Sequence, residues 1–481
     1  MKKDLWKQSR RDFLVRTTCA GLSAAAAQAS LNKLGLMNLY AKPSAPTDYR
    51  ALVCVFLDGG NDSNNMVVPT DSYYTNQYAV ARPVNSGLQI PLGNLVGINA
   101  PASLGGRTFG LHPSLPEMAT LYNQNKVAII SNVGPLVVPV NQSNIDDLPT
   151  PYSLFSHSDQ IDCWQTGRAD QRIATGWGGR TTDATLDCNG GSGFPTITTI
   201  AGASTFCVGA GQRPLAIDTG ALDQVLVLNG FNGSPQDVAR KSSMDFARTI
   251  DRTATLIAAA SDTTQQAVDI SAALSIDPTL ATVFPDTDLG SQLQQVAKVM
   301  KLNLTSAELS LNRQIFYVET GGYDTHQDQS TDQASRLVEF SQAMAAFYAA
   351  TAELGISDRV VTFTLSDFGR TLQPSGDNGS VGTDHGWGSH QFVMGDAVAG
   401  GNFYGMPGGN GQIFPDLVVG GVDDVSSDDR GRWIPATSVE QYAGTLARWF
   451  GVSALDLPVV FPLIGNFTPN TLGFLTPGTS C

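Results

Sequence analysis

The sequence predicts an α/β fold in which one sheet carries helices on both faces. Three observations lead there. Short runs rich in Val, Ile and Phe recur from residue 50 onward. The stretches between them repeat apolar residues at helical spacing. Glycines, carboxylates and imidazoles gather where the apolar runs stop, as at the strand ends of open α/β sheets.

The first strand is "ALVCVFL", a continuous apolar run closed by "DGGNDSNN", the pattern of a strand buried on both faces. Four more are "KVAIISNVG" (126–134), "RQIFYVET" (313–320), "RVVTFTLSDFG" (359–369) and "HQFVMG" (390–395). One helix is predicted where Leu293, Val296, Met300 and Leu304 share a face. Another is predicted where Leu337, Phe340, Met344, Phe347, Thr351 and Leu354 do. A third opens on Ser438 as N-cap in "TSVEQYAGTLARWFG" and stops at Gly451. Residues 185–235 are Gly-, Thr- and Ser-rich and read as a loop-heavy or β-rich insertion. With no internal repeat and no clean linker after residue 50, residues 50–481 read as one domain.

Before it comes "SRRDFLVRTTCAGLSAAAAQAS": a basic region, a weakly apolar Ala-rich run, and a small-residue cleavage site at Ala27-Gln28-Ala29. This reads as an export signal over residues 1–29, followed by a linker over 30–49. Arg16 interrupts the run, which is too short to span a bilayer, so no stable membrane span is expected after cleavage. The Ser-Arg-Arg-x-Phe-Leu core resembles the twin-arginine type, which makes the twin-arginine export machinery an expected partner and the periplasm or exterior the expected location.

The formal net charge is −14. Cleavage removes Lys2, Lys3, Lys7, Arg10, Arg11 and Arg16 but only Asp4 and Asp12, so the remainder is more acidic still. Such a surface argues against nucleic acid or anionic lipid as a general partner. An anionic substrate would need a local positive centre, and a bound metal supplies one. Of the six cysteines, Cys19 leaves with the signal. Cys188 and Cys207 flank "NGGSGFP" and are the first candidates for a disulfide, although spacing does not decide connectivity. Cys54 reads as a buried thiol.

The chain has only five histidines, and three lie near predicted strand ends. Asp58 and Asp62 follow the first strand. "GGYDTHQDQ" with Asp324 and His326 follows the strand at 313–320, and "SDFGRT" with Asp367 and Arg370 follows that at 359–366. "TDHGWGSH", with Asp384, His385 and His390, leads into the strand at 390. Carboxylate with imidazole is the ligand set for Zn²⁺ or Mn²⁺, and glycine lets separate loops converge on one ion. Singly, each Asp reads as a turn or cap and each His as a satisfied polar group; together they read as a metal site. His112, before Pro113, reads as a helix-entry residue. His157 lies in "FSHSDQIDCWQTG" between Ser156 and Ser158. Ser156 reads either as an N-cap or as a nucleophile at a helix N-terminus. There is no G-x-S-x-G, Walker A or H-E-x-x-H, and "SSDDRGR" lacks calcium-loop spacing.

The ordered motifs "FLDGGNDSNNMVVP", "SHSDQIDCWQTG", "GGYDTHQDQ", "SDFGRT", "GTDHGWGSHQFVMG" and "IPATSVEQYAGTLARWFG" resemble domain-of-unknown-function family 1501, a bacterial family of twin-arginine-exported proteins. That family is placed in the alkaline phosphatase and sulfatase-like superfamily. The resemblance implies a three-layer sandwich around a central, mostly parallel sheet. It also implies a site with two divalent metals and a Ser or Thr nucleophile acting on a phosphoryl or sulfuryl centre. Carried over, Asp58 or Asp62 would be the first-strand aspartate, Asp324 and His326 an aspartate–histidine pair, and His385 the later histidine. Asp367 would begin an Asp-His-Gly strand end in which Phe368 replaces histidine. A rival alignment takes Asp384 and His385 as that pair and His390 as the later histidine.

The reading is an exported hydrolase of phosphate or sulfate esters, its substrate a small-molecule or glycan anionic ester. Its cofactor would be a divalent metal (Zn, Mn, Mg or Ca). Ser156 would be the nucleophile, His157 a ligand or acid, and Arg370 a fork for the anion. The alternative is a non-catalytic envelope binding protein that keeps the fold.

Overall fold

In the computed structural model, which describes residues 48–190, 194–222, 234–250, 252–274, 276–306, 309–377, 380–425 and 430–481, the chain is organised around a nine-stranded sheet. Its strands are β1 (Arg50–Leu57), β2 (Val127–Gly134), β3 (Ile197–Thr199), β4 (Leu215–Ala216), β5 (Arg313–Thr320), β6 (Val360–Ser366), β7 (Ser389–Met394), β8 (Phe403–Tyr404) and β9 (Thr437–Ser438). They lie in the order β8-β2-β7-β6-β1-β5-β3-β4, with β9 also on β2. Every pairing is parallel except those of β7, which runs antiparallel to β2 and β6. The segments expected to be an export signal (1–29) and most of the expected linker (30–49) fall outside the described residues.

The strand period of two sorts β1 into two cores. Ala51, Val53, Val55 and Leu57 face one cluster, and Leu52, Cys54 and Phe56 the other. The first cluster takes in helices α1 (Pro116–Asn123), α6 (Asp288–Thr305) and α7 (Gln329–Glu353), through residues such as Met118, Leu293, Val296, Met300, Phe340 and Phe347. The second takes in α2 (His157–Thr166), α3 (Trp177–Ala184) and α8 (Val439–Phe450), through Trp164, Trp177, Tyr442, Leu446 and Phe450. Helices therefore cover both faces, and the predicted three-layer α/β sandwich is what forms. Two further helices are less buried: α4 (Pro235–Ala247) is mostly exposed, and α5 (Thr255–Ala273) is exposed or half-buried along most of its length, with Ile270 and Ala273 in the first cluster.

Within the segment at 185–235, β3 pairs with β5 and β4 with β3, so its described strands extend the main sheet. One expectation needs correction. The disulfide joins Cys188 to Cys481 rather than to Cys207, and Cys54, Cys163 and Cys207 are buried free thiols. Cys207 packs under Trp177 and Phe206 in the second core, a position that residue spacing does not reveal.

Candidate metal centre

Parallel register decides where the acidic residues go. Leu57 of β1 pairs with Thr320 of β5 on one side and with Ser366 of β6 on the other. The three strands thus end level, and Asp58, the loop with Asp324 and His326, and Asp367 emerge at one edge of the sheet. Gly59 and Gly60 turn the chain away with φ of +112° and +83°. A Cβ on Gly59 would stand 2.4 Å from the backbone nitrogen of Asp324, and one on Gly60 2.5 Å from the Phe368 ring. Only glycine permits so close a crossing.

His385 arrives from the segment before β7, where it makes a β-bridge with Arg370. His157 arrives from the opposite helical layer as the first residue of α2, after Ser156 as N-cap. Their side chains meet. His157 Nε2 lies 3.0 Å from His385 Nε2, which lies 2.9 Å from His326 Nε2. Asp324 Oδ1 is 3.0 Å from His326 Nε2, 3.5 Å from His157 Nε2 and 3.6 Å from His385 Nε2. His157, Asp324 and His385 form one group able to hold an ion, and His326 adjoins it.

The outer nitrogens fix the tautomers. His157 Nδ1 donates to Asp367 Oδ2 at 2.7 Å, and His385 Nδ1 donates to the carbonyl of Phe155 at 2.7 Å. A carboxylate and a carbonyl only accept, so both Nδ1 atoms carry the proton and both Nε2 atoms offer a lone pair. Two lone pairs facing at 3.0 Å repel unless a cation or a proton lies between them. Ligand atoms about 2.1 Å from a single ion have separations of this order. Carboxylate and carbonyl partners on the far nitrogen are the usual support of metal-binding imidazoles. The residues therefore fit a divalent metal.

The hydrogen bond and charge of Asp367 raise the His157 pKa, so that without an ion the ring is drawn toward its protonated form, whereas burial lowers the pKa of His385. Desolvation pushes Asp324 upward, but the Arg370 hydrogen bond and charge outweigh it, and the carboxyl sits below its usual range. Asp58 is pushed up to about 6, first by desolvation and then by Asp367.

The other candidates divide. Asp367 is fully buried, with Oδ1 accepting from Gly59 N at 3.0 Å, so it orients His157 from behind. Arg370 is 2% exposed and donates through Nη2 to Asp324 Oδ1 at 2.6 Å. Its guanidinium lies beneath the carboxylate and does not present a two-pronged face to solvent. Asp384 stands 3.4 Å from His326 Nδ1 and pairs with Arg430. Asp62 is not at the cluster: both its oxygens are occupied by Arg82. Nor is His390, which is 1% exposed with its ring against Phe414 and Trp433 and Nδ1 accepting from Asn132 N. In the rival alignment, with Asp384 and His385 as the pair and His390 as the later histidine, His390 therefore lies outside the group formed by His157, Asp324 and His385. Phe368 packs its ring 4.7 Å from that of His157 and 4.6 Å from that of His385, an apolar floor under both. The Ser156 side chain caps no backbone group of α2, and its Oγ lies 3.5 Å from Ser158 Oγ.

Sequence reading missed Arg432. Its Nε donates to the His385 carbonyl at 2.6 Å and its guanidinium lies 4.5 Å from the Phe155 ring centroid. The basic end of "SSDDRGR" was its only signal.

An α/β sandwich with an imidazole–carboxylate cluster at the ends of its central parallel strands defines a protein with a candidate metal centre. The chain belongs to the family described as Protein of unknown function (DUF1501), whose model matches residues 49–412. No curated protein matches it. Among solved structures it is similar to the PsFucS1 sulfatase from Pseudoalteromonas sp., at 10% identity and a TM-score of 0.31, covering 78% of this chain and 68% of that one. It is also similar to the lipoteichoic acid synthase LtaP from Listeria monocytogenes (9%, TM-score 0.28, 93% and 80%). A third is the alkaline phosphatase from the Antarctic bacterium TAB5 (10%, TM-score 0.23, 73% and 91%).

Proposed function

We propose that this protein is an exported, metal-dependent hydrolase of phosphate or sulfate esters. The observation that carries the reading is the convergence of the His157 and His385 Nε2 lone pairs at 3.0 Å beside Asp324, with each Nδ1 already bonded elsewhere. His157, His385 and Asp324 would hold the ion, with His326 beside them and Asp58 as a further carboxylate. A divalent ion at this place supplies Lewis-acid stabilisation of charge developing on the ester oxygens.

The chain's own groups do the rest. Asp367 and the Phe155 carbonyl hold the two imidazoles in the donor tautomer, Arg370 holds Asp324, and Phe368 excludes water from beneath the rings. Ser156 Oγ, at the N-terminus of the ten-residue α2, is the proposed nucleophile. The first-turn N–H groups of α2 favour an anion there. Attack would form a seryl ester and release the alcohol; water would then free Ser156 and the phosphate or sulfate. Export rests on the twin-arginine motif at Arg10 and Arg11, and the Cys188–Cys481 disulfide is in keeping with an oxidising compartment.

The second reading, a non-catalytic envelope binding protein, draws on Phe368, which fills a place where the family resemblance expects a histidine. Ser156→Ala separates the two. Loss of ester hydrolysis with metal content unchanged supports the hydrolase. Absence of hydrolysis in the metal-loaded parent, across phosphate and sulfate esters, would favour the binder.

A further inference from the structure

We infer that Asp62, paired with Arg82, is the positioning hub that sets the spacing between the loops bearing the proposed ligands, and that Thr383 is its contact with the His385 segment. The inference rests on the metal-centre reading of the site.

The hub is buried: Asp62 and Arg82 are each 1% exposed. Arg82 grips the carboxylate with both ends of its fork, Nη1 to Oδ2 at 2.5 Å and Nη2 to Oδ1 at 3.0 Å. From this pair the arms run outward. Arg82 donates to the carbonyls of Thr371 and Leu372, fixing the chain just after Arg370. Asp62 Oδ1 accepts from Asn64 N, and Asn64 Nδ2 donates to the Arg370 carbonyl at 2.9 Å. Gln329, at the start of α7, donates to Asp62 Oδ2, and Gln333 donates to the Asp62 carbonyl at 2.7 Å. Gln329 Oε1 in turn accepts from Thr383 Oγ1 at 2.6 Å, and Thr383 N donates to the Thr325 carbonyl at 3.1 Å.

Each arm ends next to a ligand or its support. Arg370 holds Asp324, Thr325 and Gln329 bracket His326, and Thr383 stands two residues before His385. The loops carrying these groups come from distant parts of the chain, and their backbones touch. A Cβ on Gly382 would stand 2.2 Å from the Thr325 carbonyl oxygen. Sheet register sets where strands end but not how far a loop leans. A buried ion pair is a poor source of stability compared with apolar packing of the same volume. Its value here is geometric: charge-assisted bonds between buried groups favour one arrangement, which is what a preorganised set of ligands needs.

Asp62→Asn would leave the buried Arg82 charge without its counter-ion and is expected to destabilise the whole chain, so the test uses the end of one arm. Thr383→Val keeps the shape and removes only the hydroxyl. Co²⁺ is titrated into metal-free wild type, Thr383→Val, Thr383→Ser and Gln329→Met, read by the visible ligand-field bands and by competition with a chelating dye. Thr383→Val is expected to bind about 10-fold more weakly, the low end for outer-shell changes, with altered bands, and Thr383→Ser to return to within about twofold of wild type. Gln329→Met should match Thr383→Val, and the double variant should lose little more than either alone, because both cut one path. Wild-type affinity and bands in Thr383→Val, alongside binding lost in His385→Ala, overturn the hub and leave the metal centre standing. A wild type that takes up no Co²⁺ overturns the metal centre, and the hub with it.

Discussion

Asp367 places one oxygen 2.7 Å from His157 Nδ1 and the other 3.0 Å from the backbone nitrogen of Gly59, so a single buried carboxylate ties α2 to the end of β1. The pairing raises the His157 pKa above its usual 6.5. In metal-free protein its stabilising contribution is full below about pH 6.5 and lost as pH rises through the raised value. Proton and metal compete for the ring, so metal binding should weaken as pH falls through that same value. Asp367→Asn should lower the His157 titration midpoint and cost about 10–100-fold in metal affinity. Ring-proton NMR of the chelated protein checks the first effect, and an unmoved His157 would count against it.

Elemental analysis of the purified protein should find a near-stoichiometric divalent metal. His385→Ala removes the imidazole whose Nε2 lies within 3.0 Å of two others, and should lose the ion by a larger factor than any outer-shell variant. A parent that stays metal-free after dialysis against Zn²⁺, Mn²⁺, Mg²⁺ and Ca²⁺ would remove the basis of the hydrolase reading.

Gly59→Ala tests the loop crossing. The new methyl would meet the Asp324 backbone, at a φ of +112° that Ala resists. We expect a loss of about 2–4 kcal/mol in unfolding free energy, together with weakened metal binding, since Asp324 itself must shift. Chemical denaturation and Co²⁺ titration measure the two. A stable variant with intact affinity would show that the crossing is looser than described.

Glu440, the second residue of α8, is 1% exposed, and its Oε2 has no hydrogen-bond partner. Desolvation pushes its pKa up to about 8. The folded chain keeps a proton that the unfolded chain releases near pH 4.5, so its contribution is full below that value and lost as pH rises to about 8. Glu440→Gln should abolish this slope and gain stability over the parent, about 3 kcal/mol by pH 7. Tm values from pH 5 to 8 decide it; parallel curves would contradict the assignment.

The sheet was legible because its signal is local. The run at 51–57 is apolar at every position, and every one of those residues is buried. α8 announced itself through Ser438, which forms a full capping box with Gln441. Helices α4 and α5 carry no clear apolar stripe and went unread. At the site, side chains with intrinsic metal chemistry could be named, but their supports could not. The acceptor for His385 is a backbone carbonyl, which has no residue signature. Asp62 looked like a ligand because its partner, Arg82, sits beyond any short motif. His390 looked like one because sequence cannot show that a strand turns it toward Trp433 and Phe414.

The Cys188–Cys481 bridge spans 293 residues and closes that stretch of the chain into a covalent ring. Asp324, His326, Asp367 and His385 belong to the closed ring, whereas Asp58 and His157 precede it. The proposed centre thus draws on both sides of the closure. One cut between Cys188 and Cys481 leaves those residues on a single molecule on a non-reducing gel, while one cut between His157 and Cys188 releases Asp58 and His157 once the fold is melted. Where a protease nicks the chain therefore decides whether the two parts of the centre stay covalently joined.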